Sequence, residues 1–242
     1  IYNYLKKKNI VIPQKRHSEK AEKFEGAYVK DPIVGEHKWV MSFDLNSLYP
    51  HLMMQYNISP ETLKSLDTVK GMKVDKLLNK EVDTSIFKNT TMTPNGALFK
   101  TNIKGFLPEL MEDMYNDRVV FKKKMLQAKQ EYENTKEPKL LKKISKYDNI
   151  QMARKIALNS AYGAIGNQYF RYYSLAMAEA VTTSGQLSIR WIENKINDYM
   201  NDLMKTDNQD YVVASDTDSI YVTFGSLVDK FNPSSPIDFL NT

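Results

Sequence analysis

The sequence lacks cysteine altogether, and this absence limits the chemistry that it can perform. Without thiols the chain forms no disulfide bond and holds no metal ion through thiolates, which fits a reducing cytoplasm. No apolar run approaches the ~20 residues that cross a bilayer. No long apolar segment follows the lysine-rich stretch at 5–10, as a secretory signal would require. We therefore expect no membrane partner.

The chain also lacks an initiating methionine, since it begins at Ile1, and we expect it to be cut from a longer protein. Its 242 residues suffice for one large domain or two small ones with a hydrophobic core. The 34 basic residues exceed the 29 acidic ones and give a net charge of +5, which suits a polyanionic partner without demanding one. The 15 tyrosines, set among many lysines, can stack on bases. Composition makes nucleic-acid binding a fair hypothesis.

The first hundred residues predict short elements. Residues 1–37 carry scattered charge and little periodicity, so we expect an irregular linker there. Residues 39–43 form a β-prone run that ends abruptly at Asp44. A helix is expected over 52–56, after a turn at Pro50. The Pro-Asn-Gly sequence at 94–96 predicts a small hairpin between residues 91 and 101.

The second part of the chain predicts long helices. Apolar residues recur at roughly helical spacing over 108–134 and again over 140–162, which predicts two antiparallel helices joined by a tight turn. A third helix is expected over 176–203, with one apolar face. Two β-prone runs then flank residues 214–219 and predict a hairpin with its tip at 215–218.

Acidic residues stand at the ends of two predicted strands. Asp44 ends the first strand, and Asp216 and Asp218 lie at the tip of the last hairpin. Because Asp216 and Asp218 are two apart, regular strand pairing would place both on one face. On local grounds a single Asp-Thr-Asp is more simply a solvated turn. If both strand ends meet in one sheet, however, they form a hard-oxygen site that suits Mg²⁺.

Basic residues form stripes on two of the predicted helices. Lys155, Asn159 and Tyr162 are spaced i, i+4 and i+7, and Arg118 and Lys122 form a similar pair on the preceding helix. If these helices are antiparallel, both stripes can face one cleft and neutralise a triphosphate. A solvated face explains such lysines equally well, and spacing alone does not separate these cations from their neighbours. We assign the solvated face to Lys123, Lys124, Lys129, Lys142, Lys143 and Lys146.

Three segments resemble, in the same order, the motifs called A, B and C of the family B DNA polymerases. They read DLNSLYP at 44–50, KIALNSAYG at 155–163 and DTDS at 216–219. The sequence EGAYV at 25–29 resembles the segment that links the exonuclease and polymerase parts. Together with VIPQ at 11–14 and NISPET at 57–62, it is similar to the T-even-type bacteriophage branch.

The resemblance implies a catalytic centre. Asp44 and Asp218 would be the carboxylates that bridge two Mg²⁺ ions, for which Mn²⁺ could substitute, and the Leu45 carbonyl would be a further ligand. Asp216 would sit beside them and tune the site. Two ions about 3.5–4 Å apart would activate the attacking 3′-oxygen and stabilise the departing pyrophosphate.

The resemblance also implies a nucleotide site. Ser47 and Leu48 would offer backbone amides to the triphosphate, and Tyr49 would lie under the incoming sugar and exclude a 2′-hydroxyl. The residues that would hold the phosphates from the helical hairpin are Arg118, Lys122, Lys155 and Asn159. Tyr162 and Gly163 would border the nascent base pair.

The implied fold is α+β: an antiparallel palm sheet with helices on one face and an inserted two-helix fingers hairpin. We predict a linker at 1–37, the first part of the palm at 38–106, the fingers at 107–164 and the second part of the palm at 165–242. No exonuclease motif precedes these segments and no thumb segment is recognisable after them, so we expect a palm and fingers fragment truncated before the thumb.

The expected function is template-directed DNA synthesis in phage DNA replication, in the cytoplasm of a bacterial host. The expected partners are primer–template DNA and deoxynucleoside triphosphates. A separate thumb or C-terminal polymerase piece, an exonuclease domain and a sliding clamp are further candidates.

Two alternatives to this function stay open. One is a catalytically silent nucleic-acid-binding fragment, or one piece of a split polymerase that needs a separate thumb chain. The other is a different palm enzyme, such as a reverse transcriptase or a cyclase.

Overall fold

A computed structural model describes residues 1–14, 24–64, 69 and 71–241. The helices in these ranges are α1 (Tyr2–Lys7), α2 (Leu48–Gln55), α3 (Val74–Leu78), α4 (Phe106–Thr135), α5 (Pro138–Ile165), α6 (Leu175–Met204), α7 (Gly225–Phe231) and α8 (Pro236–Leu240). The strands are β1 (Val29–Lys30), β2 (Val40–Asp44), β3 (Thr90–Met92), β4 (Leu98–Lys100), β5 (Val212–Asp216) and β6 (Ser219–Thr223). A 3₁₀ turn spans Thr84–Ile86.

The strands form two antiparallel sheets in the described part of the chain. The main sheet has the order β1-β5-β6-β2, and β3 pairs with β4 in a separate hairpin. Both predicted hairpins are therefore confirmed, and so is the mixture of helices with antiparallel strands that defines the α+β class.

Helix α6 covers one face of the main sheet. Ile189 and Met200 of α6 pack with Ile220 and Val222 of β6, and all four are at most 2% exposed. Tyr221 lies between the two β6 residues in sequence, so it points to the opposite face, where it is 38% exposed. The sheet thus has one face that packs against helices and one face that is open.

Helices α4 and α5 form a long antiparallel hairpin. Its turn contains Lys136 in the left-handed conformation, with φ of 55°, and Pro138 in the first turn of α5. The rings of Phe121 and Tyr147 lie 6.2 Å apart between centroids and join the two helices along their length. The predicted helices at 108–134 and 140–162 are confirmed. No helix in the described part of the chain is long and apolar enough to span a membrane.

The N-terminal segment is more ordered than we predicted. Helix α1 buries Leu5 in the core, and β1 pairs with β5 as an edge strand of the main sheet. The expectation of an irregular segment over 1–37 is therefore wrong at these two elements. Six residues of helix and two of strand are too short for a sequence period to emerge. The remaining part of that prediction at 15–23 falls outside the described residues.

Candidate active site

Strands β2, β5 and β6 bring acidic residues to one end of the open face. Ser219 is paired with Asp44 on one side and with Asp216 on the other. Directly paired residues share a face, so Asp44 and Asp216 lie on the same face, about 10 Å apart by the usual strand spacing. Thr217 and Asp218 form the turn between β5 and β6, and the Leu45 N–H donates to the Asp218 carbonyl over 2.7 Å.

The position of Asp218 differs from the regular pairing that we considered. Strand β5 ends at Asp216, so Asp218 lies in the turn and not on the strand. Thr217 takes a φ of 54° and thereby reverses the chain within two residues. The reversal places the Asp218 backbone directly beside Leu45, so the turn and the end of β2 meet as the metal hypothesis requires.

The carboxylates of Asp44, Asp216 and Asp218 place negative charge at this end of the sheet. Burial raises the pKa of Asp218, and the nearby carboxylates of Asp44 and Asp216 raise it further. No group of three or more His, Asp or Glu side chains within the described residues is arranged to hold a metal ion by itself. Two carboxylates and the Leu45 carbonyl still fit Mg²⁺, because this ion commonly completes its shell with water and substrate phosphates.

The first turn of α2 has uncapped backbone amides. Ser47 is its N-cap at φ of 54°, no side chain among the described residues caps the turn, and no acidic residue lies in it. Its amide groups are therefore available, and they carry the positive end of the helix dipole. Arg118 Nη1 donates to Ser47 Oγ over 3.1 Å and brings a cation from α4 to the same end.

Helix α2 begins at Leu48, earlier than the predicted 52–56. Pro50 falls in the first helical turn, where its missing N–H breaks no helical hydrogen bond, so it does not delay the helix.

A cleft of about 210 Å³ is lined by part of the predicted nucleotide site. Its lining residues are Ser47, Leu48, Tyr49, Pro50, Asn159, Tyr162, Thr217 and Asp218. The rings of Tyr49 and Tyr162 lie 4.6 Å apart between centroids, at 55° to each other. Burial, and next the nearby Tyr162, Asp218 and Asp216, raise the pKa of Tyr49 to about 12. All three segments of the family resemblance therefore meet at one cleft.

Other predicted residues lie outside this cleft. The cleft is not lined by Asp44, Leu45, Asp216 or Arg118, nor by the exposed residues Lys122, Lys155 and Gly163. The ion pair that joins α5 to α4 uses Arg154, which lies 3.1 Å from Asp117, and not the neighbouring Lys155. The roles of all the predicted site residues stay predictions.

Sequence reasoning missed several polar groups at the site. Asn46 Nδ2 donates to the Tyr115 hydroxyl over 3.3 Å, and Asn46 Oδ1 accepts from Ser47 Oγ over 3.3 Å. Thr217 Oγ1 donates to Asp216 Oδ1 over 2.9 Å. Asn46 and Thr217 stand inside the DLNSLYP and DTDS segments, so closer attention to every polar side chain there would find them. Tyr115 carries no such signal.

Known proteins are similar to nearly the whole chain. The profile of DNA polymerase family B matches residues 1–231. The chain is 35% identical to the DNA-directed DNA polymerase of Escherichia phage RB69 over 97% of its own length, and 32% identical to that of Enterobacteria phage T4 over 95%. It is 32% identical over 90% to the DNA polymerase delta catalytic subunit of Schizosaccharomyces pombe.

The chain spans only part of these relatives. It covers 30% of each phage protein and 18% of the yeast subunit. The phage matches confirm the resemblance to the T-even-type branch, and the match to the family profile covers nearly every residue. The chain belongs to DNA polymerase family B.

Proposed function

We propose that this chain is the polymerising core of a template-directed DNA polymerase, which adds deoxynucleotides to a primer 3′ end in phage DNA replication in a bacterial host. The cleft between α2, α5 and the β5–β6 turn carries the proposal, because it joins Tyr49, Asn159 and Asp218 from three distant segments. The palm would comprise residues 38–106 and 165–242, which supply β2, β5 and β6 of the main sheet, and the edge strand β1 joins this sheet from the N-terminal segment. The α4–α5 hairpin, within 107–164, would be the fingers.

The reaction is an in-line phosphoryl transfer. The primer 3′-oxygen attacks the α-phosphorus of a deoxynucleoside triphosphate, the bond to the bridging oxygen of the β-phosphate breaks, and pyrophosphate leaves. Asp44, Asp218 and the Leu45 carbonyl would hold Mg²⁺, and the ion would supply positive charge next to the attacking and leaving oxygens. Asp216, two strands from Asp44, adds negative potential to the site.

The triphosphate would bind between α2 and α4. The uncapped amides of Ser47 and Leu48 donate to its phosphates, and the Arg118 guanidinium beside Ser47 neutralises them. Further contacts from the hairpin would come from Lys122, Lys155 and Asn159.

The rings of Tyr49 and Tyr162 would form the wall of the cleft that faces the sugar and base of the nucleotide. Tyr49 is half-buried and packs against Tyr162, which restricts its ring, and the ring would exclude a 2′-hydroxyl of the incoming sugar. Tyr162, together with Gly163, would border the nascent base pair.

Primer extension with Mg²⁺ tests the proposal through Asp218→Asn. We expect the variant to lose extension by at least about a thousandfold, because one carboxylate charge is removed from the metal-binding pair. Its melting temperature should not fall, since burial and two nearby carboxylates already disfavour the charged form of Asp218. Asp198→Asn, which removes an exposed carboxylate on α6, serves as the matched control and should extend normally. Normal extension by Asp218→Asn would contradict the assignment.

A second candidate is a catalytically silent fragment that binds nucleic acid and needs a thumb from elsewhere. Contacts to the DNA backbone would then come from a separate thumb, an exonuclease domain or a sliding clamp. Extension by the chain alone excludes this candidate. Duplex binding without extension, followed by extension when a thumb chain is added, supports it.

A further inference from the structure

Gly185 occupies a position where glycine is unfavourable. It is buried in the interior of α6, ten residues from the start of a 30-residue helix. Apart from proline, glycine is the residue least suited to a helix interior. Its φ is not positive, so the backbone conformation does not require it. The reason for glycine at this point must therefore lie in packing.

The Tyr49 ring supplies that reason. A Cβ atom at position 185 would lie 2.9 Å from Tyr49 Cε1 and 3.7 Å from Tyr49 Cδ1. Carbon atoms that are not bonded attract best at about 3.5–4.0 Å, so a methyl group here overlaps the ring. The third neighbour, Leu48 Cδ2, lies 3.6 Å away at an ordinary contact distance. The aromatic ring alone thus excludes a side chain at Gly185.

The ring has little freedom to yield. Its other neighbour is Tyr162 on α5, with 4.6 Å between the ring centroids. Tyr49 and Tyr162 both line the cleft, and Gly185 does not. Tyr49 therefore lies between Gly185 on α6 and the cleft, and a side chain added at position 185 would press the ring towards the cleft.

We propose that Gly185 is a specificity-determining positioning residue: its bare backbone seats the Tyr49 ring and so sets how much room the cleft leaves for the sugar of an incoming nucleotide. Gly185 touches no substrate itself and acts through Tyr49. This inference rests on the proposed function, since the cleft must hold a nucleotide for the sugar to meet the ring.

The packing step is tested without any enzymatic activity, by thermal unfolding of a double-mutant cycle. Gly185→Ala is expected to lower the melting temperature in the wild-type background, where the methyl group meets the ring. In the Tyr49→Ala background the same change should raise the melting temperature by about 2–4 °C, because alanine favours helix and the ring is gone. Ser188→Ala, on the same helix, is the matched control and should show no such reversal. An equal effect of Gly185→Ala in both backgrounds would overturn the proposal.

The sugar step is tested by single-nucleotide incorporation with ribo-, deoxy- and dideoxynucleoside triphosphates. Gly185→Ala should lower kcat/KM for the deoxynucleotide about tenfold, chiefly through KM. The loss should be greatest for the ribonucleotide and least for the dideoxynucleotide, because the displaced ring meets the bulkier sugar first. Tyr49→Ala should abolish this ordering. A loss that is equal for all three sugars would refute the proposal.

Failure of the proposed function can be distinguished from failure of this inference. If the chain alone does not extend primers, the three triphosphates are compared by direct binding in the presence of Mg²⁺. The double-mutant cycle could show that Gly185 and Tyr49 are coupled while no triphosphate binds. This result would support the packing of Gly185 against Tyr49 but would overturn both the role in sugar selection and the proposed function. Binding of all three sugars with unchanged preference in Gly185→Ala would overturn the inference alone.

Discussion

Ser47 holds a backbone conformation that residues with side chains rarely adopt, at the point where the cleft meets α2. Its φ of 54° lies in the left-handed region, which costs of order 1 kcal/mol for a non-glycine residue. The Ser47 carbonyl accepts the His51 N–H over 3.2 Å, and His51 Nδ1 lies 2.9 Å from the same oxygen. These contacts stabilise the conformation that leaves the first amides of α2 uncapped.

Arg118 and Lys122 provide a matched pair for testing the phosphate site. Arg118 is half-buried, and its Nη1 donates to Ser47. Its buried Nε has no hydrogen-bond partner among the described residues, whereas Lys122, one turn later, is exposed. We expect Arg118→Ala to raise the Kd of a deoxynucleoside triphosphate about tenfold or more, since a charge-assisted hydrogen bond contributes ~1.5–3 kcal/mol. Lys122→Ala should raise the Kd by a smaller factor, about threefold, because an exposed and flexible ammonium contributes less to phosphate binding. Titration of each variant with Mg²⁺ and nucleotide measures this, and equal losses would contradict it.

The sequence could predict some site residues and not others. Asp44, Tyr49 and Asp218 stand within contiguous segments that resemble the family's motifs, and this resemblance implies their roles. Gly185 lies outside all three segments, and only the packing of α6 against α2 brings it to Tyr49. A lone glycine in a helical pattern is a weak signal, because its cause cannot be read from neighbouring residues.

Strand β1 holds the turn between β5 and β6 from the outer edge of the sheet. Val29 pairs with Asp216, and the Tyr28 carbonyl accepts the Thr217 N–H over 3.0 Å. Next to this contact, the Lys30 ammonium is bonded to the Glu193 carboxylate of α6 and lies 2.5 Å from Asp210 Oδ2. Burial alone would lower the pKa of Lys30, but its hydrogen bonds to Asp210 and Glu193 raise it. This short strand therefore anchors the turn to α6.

Removing the Lys30 charge should destabilise the fold. Lys30→Met leaves the Glu193 side chain, which is only 12% exposed, without its cation, and breaking such a pair from one side costs about 3 kcal/mol. Lys195→Met on the same helix is the control. Its pair with Asp198 is exposed on both sides, so we expect a loss below about 1 kcal/mol. Urea unfolding at pH 7 gives both values.

The Lys30 prediction has an internal check. A double variant, Lys30→Met with Glu193→Leu, should recover most of the lost stability, because no uncompensated buried charge remains. A loss no larger than that of Lys195→Met would show that the Lys30 cluster does not anchor β1.

Elements differ in how well sequence could predict them. Helices α4, α5 and α6 each run for 28 residues or more, so their apolar spacing repeats often enough to identify them. Strand β1 has two residues, and its place is fixed by pairing with β5 at the other end of the chain. Such long-range pairing leaves no local pattern.

Helix α6 connects two hydrophobic clusters, because its residues pack in both of them. Met177 and Val181 near its start pack in the cluster formed with α2, α4 and α5, and Ile189 and Met200 pack against the main sheet. One continuous helix therefore supplies part of both cores.

The order of the strands in the main sheet could not be predicted from sequence, since β2 pairs with β6 from the far end of the chain. That α6 contributes to both hydrophobic clusters likewise becomes apparent only once the strand order is known.

We expect both clusters to unfold in a single transition, because α6 cannot lose one half without weakening the other. Leu107 is fully buried in the first cluster and Ile189 is 1% exposed in the second, so Leu107→Ala and Ile189→Ala should each cost ~2–5 kcal/mol. Urea unfolding is followed by tryptophan fluorescence, which reports Trp39 next to β2 and Trp191 on α6, and by circular dichroism, which reports all helices. Each variant should shift both signals to the same new midpoint. If Leu107→Ala shifts the dichroism and leaves the fluorescence midpoint in place, the two clusters are independent units and α6 does not couple them.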